Sequence, residues 1–521
     1  MAGRFGLHSL LRLYAAERCA QEDDERDQAE AIGRLLDWHL QAADAAARCL
    51  YPTRLRLPVP PVAVTPPVLS FTSGAHALEW LDAERATLVA LTRHAVGAGQ
   101  RRTAWLLADT LRGYFWLRMY LADWLATAQV GLAAAQADAD LPAQAAAQLS
   151  LGDVYQDHGD HQKAADSYRA ALCHMREIGW LEGQASVLNN LGILHGRAGR
   201  LREAETCYAE AVAVNRQTGS VTGPVLNLIN LGRVCHESGK PGRAAECETE
   251  ALTLAREAGF AVGAAIAASS LGEFRHAQGH LGEALDLLTC AGGMLQETAN
   301  RRAEADNLRL LAQVHSDLGR SDQALGMARA AHCLAREAGD SKGEADALNT
   351  LGVLLRHRGN CAGAAELHQQ ALDLACRAGI RHPETVALIG LAAAAGAVGA
   401  RPGRAETVLD GAHHALALTR EIGYRCLEGQ ALAALAGLDS SCGQVDQAIG
   451  RARQALTLLR DTGQRLHEAH CELLLGHLLS AGRPEAARSH WEHALALFTE
   501  TGSPQVSFVR ALLHQSPSAV Q

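Results

Sequence analysis

A chain of 521 residues with 4% aromatic side chains is too long for one ordinary domain unless it is a repeat array. Its net charge of −9 argues against a large nucleic-acid footprint, which needs clustered Lys and Arg. Thirteen scattered cysteines without a CxxC pair, and no apolar leader or membrane-length apolar run, exclude a disulfide framework and a spanning helix and predict a soluble, cytoplasmic chain.

Residues 1–51 read as two amphipathic helical stretches, "RFGLHSLLRLYAAERCAQ" and "AIGRLLDWHLQAADAAARCLYP". Residues 52–74 hold six of the 14 prolines and read as an extended linker. A helical entry segment follows at 75–104.

From 105 to 502 the chain repeats itself. Leu-Gly pairs stand at Leu151-Gly152, Leu191-Gly192, Leu231-Gly232, Leu271-Gly272 and Leu351-Gly352, with Leu311-Ala312 and Leu391-Ala392 at the missing steps, so the period is 40 residues. A degenerate copy precedes the first pair, around Leu106 to Ala135. Two more copies follow, at Leu435-Ala436 and Leu475-Gly476. Each pair is followed by a second glycine, from Gly159 and Gly199 through Gly359 to Gly399. Alanines then recur at Ala164, Ala204, Ala244, Ala284, Ala324 and Ala364, and again seven residues later. Apolar and small residues at helical intervals make each repeat a helix pair. The mid-repeat glycine ends the first helix, because glycine tolerates the left-handed C-cap conformation. Small residues let helices approach closely, and no pair buries its apolar face alone, so the pairs stack. One repeat is longer: Gly399 to Gly423 spans 24 residues where the others span 20. This predicts about one extra helical turn in "VLDGAHHALALTREIG". Residues 503–521 read as a C-terminal tail.

The pattern resembles the tetratricopeptide repeat: Leu-Gly, an aromatic three residues on, Ala-x3-aromatic, then Ala. Leu151, Gly152, Tyr155, Ala164, Tyr168 and Ala171 match it, and the next repeat keeps Tyr208. The resemblance implies an all-α, right-handed solenoid of nine or ten helix pairs. The N-terminal "LHSLLRLYA" (Leu7 to Ala15) and "ALEWLDAERATLVAL" resemble the region before the repeat array in large antibiotic regulatory activators of actinobacteria. In those proteins DNA-binding and STAND ATPase modules come first. Ser9 stands where that family usually has Asp. No GxxxxGK[ST] loop exists; "ESGKPG" at Glu237 to Gly242 lacks the upstream Gly and the Ser/Thr. A phosphate cradle of that kind is therefore not expected, nor is any cofactor.

In tetratricopeptide arrays the first helix of each pair lines the concave face. Carried over, those positions are Asn189, Arg197, Arg233, His236, Glu237, Glu273, His276, Asp306, Arg309, Gln313, Asp317, Asp346, Asn349, Arg356 and His357, with Ala393, Gly396 and Gly437 at the far end. This implies a polar groove of mixed charge for a protein, peptide or small molecule. Asn189 alone does not make the carboxylate clamp of chaperone-binding members. The last repeat is histidine-rich; His467 and His470 share a helix face, as do His490 and His493, and they are the candidate metal ligands. The reading is a non-catalytic sensor of a transcriptional regulator of specialised metabolism, with no direct nucleic-acid or membrane contact. ATPase and DNA-binding modules would lie outside this chain. A free-standing scaffold or adaptor is the first alternative; an enzyme or metal-binding protein is the second.

Overall fold

The structure, a computed structural model, describes residues 8–52, 54–62, 64–298, 300–398 and 405–515. Among these, all regular structure is helical. The helices are α1 (Ser9–Glu22), α2 (Glu25–Leu50), α3 (Gly74–Gly97), α4 (Arg101–Arg118), α5 (Leu121–Ala137), α6 (Leu141–His158), α7 (His161–Glu177) and α8 (Leu181–Arg197). There follow α9 (Leu201–Gln217), α10 (Gly223–Glu237), α11 (Pro241–Glu257), α12 (Ala261–Ala277), α13 (Leu281–Thr298), α14 (Arg301–Asp317), α15 (Ser321–Glu337) and α16 (Ser341–His357). The last are α17 (Cys361–Ala378), α18 (Arg381–Val398), α19 (Ala405–Ile422), α20 (Arg425–Ser441), α21 (Val445–Asp461), α22 (Arg465–Leu479), α23 (Pro484–Thr501) and α24 (Gln505–Gln515). From α4 to α23 they alternate as first and second helices of consecutive repeats, an all-α solenoid with the expected period. No described helix is long and apolar enough to cross a membrane.

Glycine sets this rhythm twice per repeat. Gly159, Gly199, Gly239, Gly279, Gly319 and Gly359 close the first helices with φ between 74° and 84°. Gly179, Gly219, Gly259, Gly339 and Gly379 close the second helices in the same left-handed conformation. Gly399 lies outside the described residues. The long repeat differs from expectation. Helix α19 has 18 residues, as does α17, so no extra turn stands in it among the described residues.

The alanines sit where the second helix meets its partners. Ala164, Ala204, Ala244, Ala284, Ala324 and Ala364 are all 0% exposed. Four residues further on, the repeat's aromatic position lies over the glycine of the Leu-Gly pair. A Cβ on Gly192 would stand 2.5 Å from Tyr208 Cε1, so glycine is what lets the ring in. The same position holds Tyr168, Glu248, Leu288, Ala328 and His368 in other repeats. Ala204→Phe is expected to overpack this contact and cost about 1–3 kcal/mol. Limited proteolysis should locate the damage in neighbouring repeats first, because repeats couple mainly to neighbours. Melting and cleavage like the parent's would place Ala204 outside the helix contact.

Packing divides the chain into two compact units, residues 1–191 and 192–521. In the first, Leu36, Trp80, Leu88, Leu107, Tyr114, Phe115 and Trp124 form the core. The proline-rich stretch is extended, but it is packed down. Leu57 and Val59 are buried, Leu57 N donates to Asp109 Oδ2 at 2.7 Å, and Gln41 Nε2 donates to Pro60 O at 2.8 Å. An extended segment with no ladder partner needs such side-chain acceptors and donors for its backbone.

In the second unit one apolar core joins Leu201, Val234 and Cys235 to Tyr424, Leu427 and Leu475. Early repeats thus lie against late ones. A Cβ on Gly239 would stand 3.1 Å from Arg425 Cβ, and one on Gly279 would stand 2.6 Å from Thr501 Cγ2. Cys426 Sγ donates to His236 O at 3.1 Å. Successive superhelical turns of this unit therefore touch, with the ends of α10 and α12 against the starts of α20 and α22.

Candidate ligand-binding interior

Because those turns touch, the inner face of the second unit is an interior and not an open trough. Its wall is made by first helices, and side chains reach across it. Arg309 on α14 is the best-held cation. Its Nε donates to Asp306 Oδ1 at 2.9 Å, Nη1 to Gln313 Oε1 at 3.4 Å and Nη2 to Glu273 Oε1 at 3.3 Å. Lys342 Nζ donates to Asp346 Oδ2 at 2.7 Å. Arg233 Nη2 donates to Asn230 Oδ1 at 3.3 Å.

The charges of this space act on one another. Burial works against the charge on Arg233, but Tyr208, Glu237, Glu273 and Asp306 outweigh it and raise its pKa. Those groups come from α9, α10, α12 and α14. Burial likewise opposes the charge on Arg309, and Asp306, Glu273 and Asp346 reverse it. Burial would raise Asp306 and Asp346; the cations Arg309 and Lys342 hold both below the ordinary carboxylate range. Asp306 keeps a side chain 50% exposed, so solvent reaches this charged surface. Buried charges persist only when paired and hydrogen-bonded, and here Glu273, Asp306 and Asp346 each meet a cation from their own helix or the next first helix.

The sequence-derived positions divide. Arg233, Glu237, Glu273, Asp306, Arg309, Gln313 and Asp346 come together as described. His276 Nε2 lies 2.6 Å from Asp317 Oδ2, nearer the ends of the first helices. His236 is half-buried, edge-on to Phe274 at 5.6 Å, with its pKa lowered by burial. Arg356 Nη2 lies 3.2 Å from His357 Nε2. Arg197 is half-buried on the last turn of α8. Asn189 belongs to the first unit, beside Asn190 Oδ1 at 3.4 Å. Asn349 is 2% exposed and fully engaged: Nδ2 donates to Pro383 O at 3.0 Å, and Oδ1 lies 2.9 Å from His368 Nδ1. It is a packing residue. Its neighbour His368, 0% exposed, has its pKa pushed down to about 4 by burial and Arg356. The small residues at the far end serve helix contact: a Cβ on Gly396 would stand 3.2 Å from Gly437 C, while Ala393 is half-buried on α18.

The histidine pairs of the last repeat face different surroundings. His490 Nδ1 lies 2.5 Å from Glu472 Oε2, and His493 is exposed on α23. His467 and His470 are exposed on α22, with His470 Nδ1 2.8 Å from Leu466 O and its ring edge-on to Phe498 at 5.1 Å. Among the described residues no three His, Cys, Asp or Glu side chains are close enough to hold a metal ion. Sequence reasoning missed Lys342, and it missed His467 and His470 as parts of this wall. The signal was present: both histidines lie on a first helix, α22, where the groove positions continue.

Tetratricopeptide-repeat family models match residues 125–178, 183–257 and 304–377. The chain carries tetratricopeptide repeats. Over 196 residues it is 33% identical to the regulatory protein AfsR of Streptomyces coelicolor, a match covering 36% of this chain and 19% of that protein. The chain thus spans about a fifth of that relative's length. Among solved structures it is similar to a Rap protein complexed with competence and sporulation factor, at TM-score 0.45 and 13% identity, covering 63% of this chain and 96% of that one. A signal transduction ATPase with a tetratricopeptide repeat sensor from Pyrococcus horikoshii aligns at TM-score 0.40 and 14% identity, covering 71% of this chain and 56% of that one.

Proposed function

We propose that this chain is the non-catalytic recognition module of a cytoplasmic transcriptional regulator of specialised metabolism, and that its interior receives a peptide or small-molecule ligand. The resemblance to a regulatory protein over 196 residues supports the regulatory setting. In that setting ATPase and DNA-binding modules lie outside this chain, which itself touches neither nucleic acid nor membrane.

The observation that carries the ligand reading is the charged wall around Arg233, Glu273, Arg309 and Asp306. Apolar faces suffice to stack a solenoid, so stacking alone does not call for a charged wall. Arg233 and Arg309 present planar donor forks suited to carboxylate or phosphate, and the half-exposed Asp306 can meet an amine. Peptides and polar metabolites carry both groups. The test is a peptide and metabolite screen on the whole chain, followed by Arg233→Ala and Arg309→Ala. Loss of one charge-assisted contact is expected to cost about 1.5–3 kcal/mol of binding. A ligand that binds both variants as it binds the parent would move the site out of this interior.

A further inference from the structure

The hold on the proline-rich segment of the first unit is directed at its main chain. Asp109 and Arg112 stand three residues apart on one face of α4. Asp109 Oδ2 accepts from Leu57 N at 2.7 Å, and Arg112 Nη2 donates to Leu55 O. In an extended chain the carbonyl of one residue and the amide of the second residue after it point to the same side, so α4 meets this edge as a neighbouring strand would. From α2, Gln41 Nε2 donates to Pro60 O at 2.8 Å and Trp38 Nε1 to Pro66 O at 2.9 Å. None of these four bonds uses a side chain of the segment.

Its side chains are met by charge and by burial. Arg54 Nη2 donates to Asp153 Oδ2 on α6 at 3.5 Å, and its guanidinium lies 5.2 Å from the centre of the Trp116 ring. Arg112 Nη1 lies 3.8 Å from the same carboxylate. Arg56 pairs with Asp44 of α2. Leu57 and Val59 enter the apolar core. Asp153 Oδ1 also accepts from Tyr168 Oη and Asn190 Nδ2, each at 2.9 Å, so α4, α6 and α8, first helices of consecutive repeats, carry one polar surface.

A fixed linker does not call for this arrangement. Asp109 and Arg112 are 6% and 3% exposed, and apolar side chains of similar volume would hold one unchanging segment at no greater cost than a buried pair of charges. The grip is also incompletely satisfied: Asp109 Oδ1 and the Nε atoms of Arg112 and Arg54 have no hydrogen-bond partner among the described residues. Groups that read a backbone accept any extended peptide, and the surroundings of its side chains select among peptides. The segment is open on its outer side, where it borders a cleft of about 360 Å³ with Asp44 and Arg48.

We propose that the face of α4 and α6 is a binding site for an extended peptide in which basic and apolar residues alternate, and that residues 54–62 are its resident ligand, displaced when a partner protein offers a segment of the same chemistry. The site lies in the first unit and is independent of the ligand reading of the second.

The probe is a fluorescein-labelled peptide of residues 54–62, RLRLPVPPV, titrated by anisotropy into the whole chain. The tethered copy competes at a roughly millimolar effective concentration, so the parent is expected to bind the peptide weakly. Arg54→Ser with Leu57→Ser weakens the tethered copy and should tighten peptide binding about tenfold or more. A peptide carrying Leu57→Pro lacks the amide that Asp109 accepts and should bind that variant about tenfold more weakly. Hydrogen exchange on the parent reads the same release without a substitution: the Leu57 amide should exchange faster than the α4 amides of Leu107 and Leu111, because the segment leaves while the helices stay folded. If the double variant does not fold, this measurement stands in its place. Equal peptide binding, or none, by parent and folded variant overturns the proposal. So does binding indifferent to Leu57→Pro, or a Leu57 amide protected as strongly as the core of α4.

Discussion

Replacing Glu248 with glutamine is expected to stabilise the protein at pH 8 and to destabilise it modestly at pH 5. Glu248 occupies the position where Tyr168 and Tyr208 cover their glycines, and a Cβ on Gly232 would stand 2.5 Å from its Oε1. The side chain is 2% exposed. Ser270 Oγ donates to Oε1 at 2.8 Å, and Oε2 has no hydrogen-bond partner. Burial pushes this carboxyl from 4.5 up to about 8, against the Ser270 hydrogen bond. Between those values the folded chain holds a proton that the unfolded chain has released. Stability from this group is therefore complete below about pH 4.5 and is lost as pH rises toward 8. At 1.36 kcal/mol per unit, the loss is roughly 3 kcal/mol by pH 7 and about 4 by pH 8. Glutamine keeps the acceptor for Ser270 and never ionises, though its unpartnered NH2 costs about 1–3 kcal/mol. Denaturant unfolding of parent and variant at pH 5 and pH 8 measures the difference. Parallel losses in the two proteins would mean that Glu248 is already ionised in the fold.

The same position shows how far the sequence can be read. Periodicity located the helix pairs and the glycine turns because each repeat solves the same local packing problem, so the solution recurs every 40 residues. Charged and polar residues that break the period carry no such redundancy. Asn349 was legible as polar and on a first helix, but not as buried. Only the packed neighbours Pro383 and His368 show where its amide goes. The contacts between turns were not legible either. The repeat length fixes each pair, while superhelical pitch comes from small rotations summed over several pairs. Nothing in "REAG" or "SGK" announces that Gly239 will meet Arg425. For that reason the wall of the interior was read as an open groove, and His467 and His470 were read as a possible metal pair and not as part of the far wall.

Gly279→Ala is expected to destabilise the protein more than Gly359→Ala, although the two glycines hold the same place in their repeats. Both end a first helix in the left-handed region, with φ of 81° and 78°, and an alanine Cβ there costs about 1–2 kcal/mol. They differ in what lies beyond. Nothing stands within 4 Å of a Cβ on Gly359, whereas one on Gly279 would be 2.6 Å from Thr501 Cγ2 and 3.1 Å from Arg465 Cβ. Thr501 is buried at the end of α23, so it has little room to yield. Overpacking adds about 1–3 kcal/mol, giving about 2–5 kcal/mol for Gly279→Ala against about 1–2 for Gly359→Ala. The backbone strain is common to both, so the difference isolates the contact between turns. Urea unfolding measures it, and small-angle scattering should show Gly279→Ala as the more expanded of the two. Equal costs and equal radii of gyration would mean that the turns do not press on each other in solution. Without that contact the start of α22 and the end of α23 have no fixed position against the end of α12.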